Sequence, residues 1–422
     1  MKRVVITGLG IITPGADNIN ILWDRILDRK PYLTRVQELE ISHDFLKKEG
    51  VAVGAKFGNI RLKDYMDCNR LEERYDTTTK LALIASEQAI IDSKLSHLQK
   101  DTAVIVGSAR GNASSLERKI IEVADCIADK VPLKKAEHIR GASLTSSSSI
   151  AAAVSRHYKL NGMSRSISTA CTSSLNAIGD AYKQVKFGES ELVLAGGAEA
   201  ALTLPMYIWF NLAGIYAPAA EIVEASVRPF CKTRRGTALG EMACMFLLEE
   251  RTHALERRAK IYGEILSFAD AIDSSPKSFE ALSKDGIPYG DVLKKVVSTA
   301  NTDPENIDLV IAHGTGTKSN DEIELRALDQ LYTNSKHPLT FSLKGITGHG
   351  VGACAALEIA VGLYAMNEST IPPCANIVEV DKISPRQNIS VGITQKPIKY
   401  LLKMGSGFRG YMSAMLLKKG CG

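Results

Sequence analysis

The sequence is short of several things that would settle its class at once. Its eight cysteines (Cys68, Cys126, Cys171, Cys231, Cys244, Cys354, Cys374 and Cys421) form no Cys-x-x-Cys pair. In a chain of 422 residues that excludes a dense disulfide framework or a zinc ribbon and reads as reduced thiols. No apolar run approaches the roughly 20 residues of a membrane span. The opening Met1-Lys2-Arg3 leads into Val4-Val5-Ile6-Thr7-Gly8, too short a stretch for a secretory signal, so the expected home is a reducing cytosol. Charge of one sign is scarce. Lys plus Arg number 52 against 47 Asp plus Glu, a net +5, too little to imply nucleic-acid binding. Gathered into one patch, that excess would suit an acidic partner. No short repeat is visible.

What is present is an ordinary globular composition, 45% hydrophobic and 23% charged, which excludes a disordered, collagen-like or coiled-coil chain. At about 150 residues per domain the length predicts two to three structural units. Short β-branched runs end in or near glycine: Val4-Val5-Ile6, Ala103 to Val106, Leu192 to Leu194 and Leu309 to Ala312. Such runs read as strands buried on both faces. Helical periodicity separates them over Thr79 to Asp92, Ser173 to Phe187 (closed by Gly188), Glu322 to Leu331 and Gly352 to Met366. Strands alternating with helices predict an α/β fold. The charged stretch Glu249 to Lys260 is the strongest breakpoint. It divides the chain into 1–255 and 256–422, and with no Pro/Ser linker the halves should pack closely. Ser143 to Ser149 reads as a loop that caps a small-residue helix starting at Ile150.

Three positions carry chemistry. Cys171, in Ser168-Thr169-Ala170-Cys171-Thr172-Ser173, falls between a strand-like run (Arg165 to Ser168) and a helix. A sulfur at a helix N-terminus gains from the dipole and free N–H groups, which favour a nucleophilic thiolate. The bland alternative is a small buried hydrophobe, the usual fate of a free cysteine. His313, in Ile311-Ala312-His313-Gly314-Thr315-Gly316-Thr317, opens a loop after a buried strand, where α/β proteins place their sites. His349, in Lys344-Gly345-Ile346-Thr347-Gly348-His349-Gly350, has glycine on both sides, which lets a ligand approach closely. A single histidine is more often structural. His43, His97, His138, His157, His253 and His337 lack this glycine setting and read as such.

Taken together, the opening Met1 to Gly15, the Thr-Ala-Cys-Thr-Ser segment, the His-Gly-Thr-Gly-Thr segment and the Lys-Gly-Ile-Thr-Gly-His segment resemble the condensing enzymes, the β-ketoacyl-carrier-protein synthases, over essentially the whole chain. Ala170-Cys171-Thr172-Ser173, Gly405-Ser406-Gly407-Phe408 and Tyr411 to Met415 are most similar to the ketosynthase-alpha subunits of type II polyketide synthases. The partner chain-length factor of those enzymes lacks the cysteine. The resemblance implies a thiolase-like fold of two duplicated halves in αβαβα layers, with the cysteine in 1–255 and both histidines in 256–422.

It also implies roles. Cys171 carries the growing acyl chain, and His313 and His349 hydrogen-bond the thioester carbonyl of malonyl-carrier protein as CO2 leaves. Donors aimed at charge that develops only in the transition state are each worth roughly 2.7–4 kcal/mol. The N–H groups of Cys171 and Phe408 form the oxyanion hole, and Phe408 gates the malonyl unit. Lys344 with Glu358 orders the His349 loop, a pair that could otherwise be a plain surface ion pair. Thr315 and Thr317 contact the phosphopantetheine arm. No bound cofactor or metal is implied, since the phosphopantetheine arrives on the acyl carrier protein. Lys134, Lys135 and Arg74 fall where related enzymes meet that acidic carrier. The second partner is a chain-length factor or a second copy, and neither nucleic acid nor membrane is expected. Leu204 to Phe210 is a candidate interface or acyl tunnel, though core packing is commoner for such a run.

The sequence departs from the family's Arg-Pro-Phe-Asp…Arg-Asp-Gly-Phe…Gly-Glu-Gly pattern. Cys231 and Arg235 stand for Asp, Thr237 for Phe, Met242 for Gly, and Arg409 for a Gly beside the gate. These changes touch the malonyl side of the pocket and leave Cys171, His313 and His349 in place. Fatty-acid elongation by a homodimer and a non-catalytic partner role are the competing functions.

Overall fold

The computed structural model describes residues 1–39, 51–70, 72–129, 145–275 and 282–420. Ten strands form one sheet: β1 (Val4–Ile12), β2 (Ala103–Gly107), β3 (Ser164–Ile167), β4 (Leu192–Glu199), β5 (Met242–Glu250), β6 (Gly263–Ile272), β7 (Leu309–Ile311), β8 (Leu339–Phe341), β9 (Tyr400–Gly407) and β10 (Tyr411–Lys419). Their order is β8-β7-β9-β10-β6-β1-β5-β4-β2-β3. Read outward from the β1/β6 seam, the first five strands run β1-β5-β4-β2-β3 and the last five β6-β10-β9-β7-β8. The pattern of directions is also the same: two antiparallel pairings, then two parallel ones. The fold is therefore a duplication. At the seam Val4 pairs with Ile265, which Leu417 of β10 flanks on the other side.

Every residue of β1 and β4 is buried, as continuous apolar runs predict for strands covered on both faces. The cover is helical. Helices α1 (Thr77–Ser93) and α2 (Ser148–His157) lie on the outside of the first half-sheet. Helices α5 (Ile287–Thr299) and α6 (Lys318–Leu331), the former directly on β6 and β10, cover the outside of the second. Between the half-sheets run α3 (Ser173–Lys186) and α7 (Cys354–Glu368), each touching strands of both halves and one another. Those contacts complete the αβαβα layers. A short helix α4 (Leu204–Leu212) lies ahead of β5 in the chain. Helix α7 is buried almost all round, as an apolar helix must be when both faces meet sheet. Among the described residues no helix is long and apolar enough to cross a membrane.

Local chemistry sets the boundaries. Asp76 caps α1 by accepting from the Thr78 N–H, so the helix starts two residues ahead of Thr79. Thr317 caps α6 by accepting from the Asn320 N–H, which moves that start from Glu322 to Lys318. Helix α2 starts at Ser148, inside the serine run. Helix α7 starts at Cys354 after a 3₁₀ turn, Val351–Ala353. Gly107, the last residue of β2, lies directly beneath the start of α3. A Cβ there would stand 2.4 Å from the backbone of Ser173 and Ser174.

Candidate active site

The start of α3 is built by its own hydroxyls. Ser173 Oγ accepts from the Thr169 N–H and donates to the Ala170 carbonyl, and Thr172 Oγ1 donates to the Thr169 carbonyl. Ala170 takes a left-handed φ of 51°. The chain thereby turns sharply out of β3 and presents Cys171 ahead of the helix, buried at 4% exposure. The sulfur is a thiol rather than the thiolate expected from the helix dipole. Burial pushes its pKa well up, the nearby Cys354 adds to this, and Lys344 and the Phe408 N–H oppose it only in part.

His313 leaves the end of β7, and its loop is pinned from the N–H side. The N–H groups of His313 and Gly314 donate to the two oxygens of Glu324, at 2.5 and 2.6 Å, and Asn320 donates to the same carboxylate. Burial raises the Glu324 pKa to about 7 against these hydrogen bonds. Gly314 is required, because at its φ of 47° a Cβ would meet Ser342 at 2.5 Å. The His349 N–H donates to the Ala238 carbonyl and its own carbonyl accepts from Gly240, which fixes that loop against the short strand Leu239–Gly240 just ahead of β5. The two imidazoles meet edge to face, 5.1 Å between centroids, and His349 Nε2 stands 3.2 Å from Cys171 Sγ. Burial, then Lys344, drives both imidazole pKa values well below the ordinary value, so both rings are neutral.

Lys344 and Glu358 are buried, not a surface pair, with Nζ to Oε1 at 2.6 Å. Lys344 is tied to the His349 loop through its main chain, its carbonyl accepting from the Gly348 N–H, rather than through its side chain. Its ammonium instead meets His313, 3.3 Å from Nδ1 and donating to the carbonyl. Burial works against the Lys344 charge, yet Cys354 and Glu358 outweigh it and raise the pKa. Lys403 pairs with the second oxygen of Glu358 at 2.7 Å. Sequence reasoning passed over Lys403, Glu324 and Cys354. The signal for Lys403 was a lone charge inside the apolar strand Tyr400–Gly407.

Cys171, His313, His349, Thr315, Phe210 and Phe408 line a chamber of about 130 Å³. Thr317 also lines it, and its hydroxyl is shared with Thr315 Oγ1 at 2.8 Å and the α6 cap. Phe408 lines the chamber with its N–H toward the Cys171 sulfur and its ring edge-on to Phe210 at 5.9 Å. Helix α4 thus turns Phe210 inward, while Trp209 on its other side is exposed. The chamber opens at Ile215, Thr317 and Ser319 into a groove of about 1480 Å³ bearing Arg228, Lys232, Arg235 and Lys318. Among the departures, Arg235 is exposed on that groove, Thr237 lines the chamber, and Arg409 takes a left-handed φ of 64°. Arg234 is buried against Asp321 and Asp381. Arg74 is exposed on the turn Glu72–Arg74, and Lys134 and Lys135 lie outside the described residues.

The chamber joins a thiol, two neutral imidazoles and the backbone N–H of Phe408, a set suited to acyl transfer through a thioester. Comparisons with known proteins point the same way. The family model "Beta-ketoacyl synthase, N-terminal domain" matches residues 1–254 and its "C-terminal domain" counterpart matches 262–378. The chain is 28% identical to the oxytetracycline polyketide beta-ketoacyl synthase 1 of Streptomyces rimosus, over 99% of this chain and 97% of that protein. It is equally 28% identical to a 3-oxoacyl-acyl-carrier-protein synthase 1 of Buchnera aphidicola, over 99% of this chain and all of that protein. Among solved structures, the ishigamide ketosynthase/chain length factor superposes with a TM-score of 0.87 over the full length of both chains, at 22% identity.

Proposed function

The chain belongs to the beta-ketoacyl synthase family, a family of acyl-transferring condensing enzymes, and from that premise we propose that it is the catalytic ketosynthase of a type II polyketide synthase. It works in the cytosol with an acyl carrier protein and a chain-length factor. The observation that carries the reading is the convergence of Cys171, His349 and His313 on one chamber.

The steps follow from these groups. The Cys171 sulfur attacks the acyl thioester of the carrier's phosphopantetheine, and the leaving pantetheine sulfur takes the thiol proton. The new thioester's oxygen lies against the N–H groups of Cys171 and Phe408. Malonyl-carrier protein then enters past Phe408, its arm passing Thr315 and Thr317, and its thioester carbonyl accepts hydrogen bonds from His313 and His349. CO2 leaves, and the electron pair is held as an enolate on that oxygen. The enolate carbon attacks the Cys171 thioester, a C–C bond forms, the C–S bond breaks, and the departing thiolate takes a proton from solvent to restore the thiol. Neutral imidazoles suit this role, since they stabilise the enolate without delivering a full proton. The acidic carrier is met by Arg74, Lys134 and Lys135, and charge reversal at the two lysines should weaken transfer and flatten its salt dependence.

The equal identity to the Buchnera enzyme favours a second reading, a homodimeric fatty-acid elongation synthase. Mass spectrometry of products from malonyl- and acyl-loaded carrier protein separates the two. Elongation only with a co-expressed chain-length factor supports the polyketide reading. Elongation by the chain alone supports the second, and no acyl adduct at Cys171 in either setting overturns both.

A further inference from the structure

Lys403 lies in the middle of β9, fully buried, in register with Ile311 at the end of β7. A buried ammonium is costly unless its protons are met. Here Nζ donates to the carbonyl of Met404 and lies 3.3 Å from that of Ala312 and 3.5 Å from that of Ile311, beside Glu358 Oε2 at 2.7 Å. Three carbonyls and a carboxylate around one positive charge form an all-oxygen cage of the kind that holds hard cations. Lys403 does not line the chamber, so it touches no reacting atom.

Its neighbours show what it acts through. Ile311, Ala312 and His313 are consecutive, and their carbonyls are met in turn by Lys403, Lys403 and Lys344. Both ammoniums share Glu358, one on each oxygen. On the opposite side of the same loop, Glu324 takes the N–H groups of His313 and Gly314. The strand exit carrying His313 is thus clamped by two ammoniums on its carbonyl side and by the Glu324 carboxyl group on its N–H side.

We infer that Lys403 is a positioning residue, a tethered monovalent cation whose charge fixes the β7 exit and so aims the His313 imidazole into the chamber. The inference rests on the ketosynthase reading for its effect on catalysis, but the cage itself can be tested without it. In Lys403→Ala the oxygens remain and a space opens that ammonium or potassium fits. In Lys403→Met the space stays filled and the charge is gone.

The test compares both variants with the wild type in ammonium, potassium and tetramethylammonium chloride at one ionic strength. Acylation of Cys171, CO2 release from malonyl-carrier protein and the thermal midpoint are read in each. Misplacing His313 by about 1 Å should slow CO2 release in Lys403→Ala by about a hundredfold while Cys171 acylation is largely retained. Ammonium or potassium should restore CO2 release and raise the midpoint of Lys403→Ala, with tetramethylammonium inactive and Lys403→Met unresponsive. Undiminished CO2 release in Lys403→Ala overturns the inference, as does a response that tetramethylammonium reproduces or the absence of any ion response in the midpoint. A wild type that neither acylates nor decarboxylates would instead overturn the ketosynthase reading, and the midpoint would still decide the cage.

Discussion

His349 Nε2 stands 3.2 Å from Cys171 Sγ across 178 positions of sequence. The contact joins the two duplicated halves, because Cys171 is set by the start of α3 and His349 by the loop ahead of α7. Both helices lie in the middle layer, so the packing that builds the core also builds the chamber.

Cys171→Ala should abolish acyl transfer, with no covalent adduct on intact-protein mass spectrometry after incubation with acyl-carrier protein. The remaining described cysteines do not line the chamber. His313→Ala should keep the adduct but slow condensation by about 10²–10³-fold, the cost of one preorganised donor. Equal loss of adduct and condensation in His313→Ala would remove that histidine from the malonyl step.

The pH dependence follows from two depressed imidazoles. Burial holds His313 and His349 well below the ordinary value of about 6.5. The acylation rate should therefore stay level through that pH and fall only below it. For stability, an unfolded chain protonates these rings near pH 6.5 while the folded chain resists. Their contribution is thus present above about pH 6.5 and declines as pH falls below it, by up to about 1.4 kcal/mol per pH unit per group. The unfolding free energy of wild type minus that of His313→Asn, followed from about pH 8 to pH 5, reads the His313 share.

Glu358→Ala leaves the ammoniums of Lys344 and Lys403 buried without their shared carboxylate. Breaking a buried pair by removing one partner costs about 3–5 kcal/mol, because the other charge is stranded. Denaturant unfolding should show a loss of that size. A loss below about 1 kcal/mol, the range of exposed pairs, would mean water reaches the cluster.

Gly107→Ala tests how the nucleophile is seated. The new Cβ would stand 2.4 Å from backbone atoms of Ser173 and Ser174, which have no side-chain freedom to yield. The start of α3 must shift and carry Cys171 with it. The variant should lose Cys171 acylation even where circular dichroism shows folded protein.

Much of this was legible in the amino-acid order, for specific reasons. Cys171, His313 and His349 stand out because turn and loop residues surround them, and glycine marks where backbone must bend or come close. The alternation of β-branched runs with helical periods gave the layers. Glu324 was not legible, because it lies inside a helix whose pattern reads as ordinary, and Lys403 announced itself only as a lone charge in an apolar strand, with no hint of its partners. Their role comes from strand register and a helix cap, which one residue's identity does not encode. The helix dipole at Cys171 is legible because it is a local property, while the burial that raises the thiol pKa, with Cys354 of α7 beside it, depends on the tertiary packing. That the Lys344 ammonium also meets His313 was not legible, since proximity in sequence says little about which way a short helical turn throws its side chain.

The seam between β1 and β6 has an engineering consequence. Val4 and Leu417 flank Ile265 from its two sides, so they are separated by only two strand spacings, about 9–10 Å. A bridge of a few residues could splice them, with fresh termini cut between β5 and β6. Such a circular permutant would be translated with the histidine portion ahead of the cysteine portion, and it should close around the same cavity.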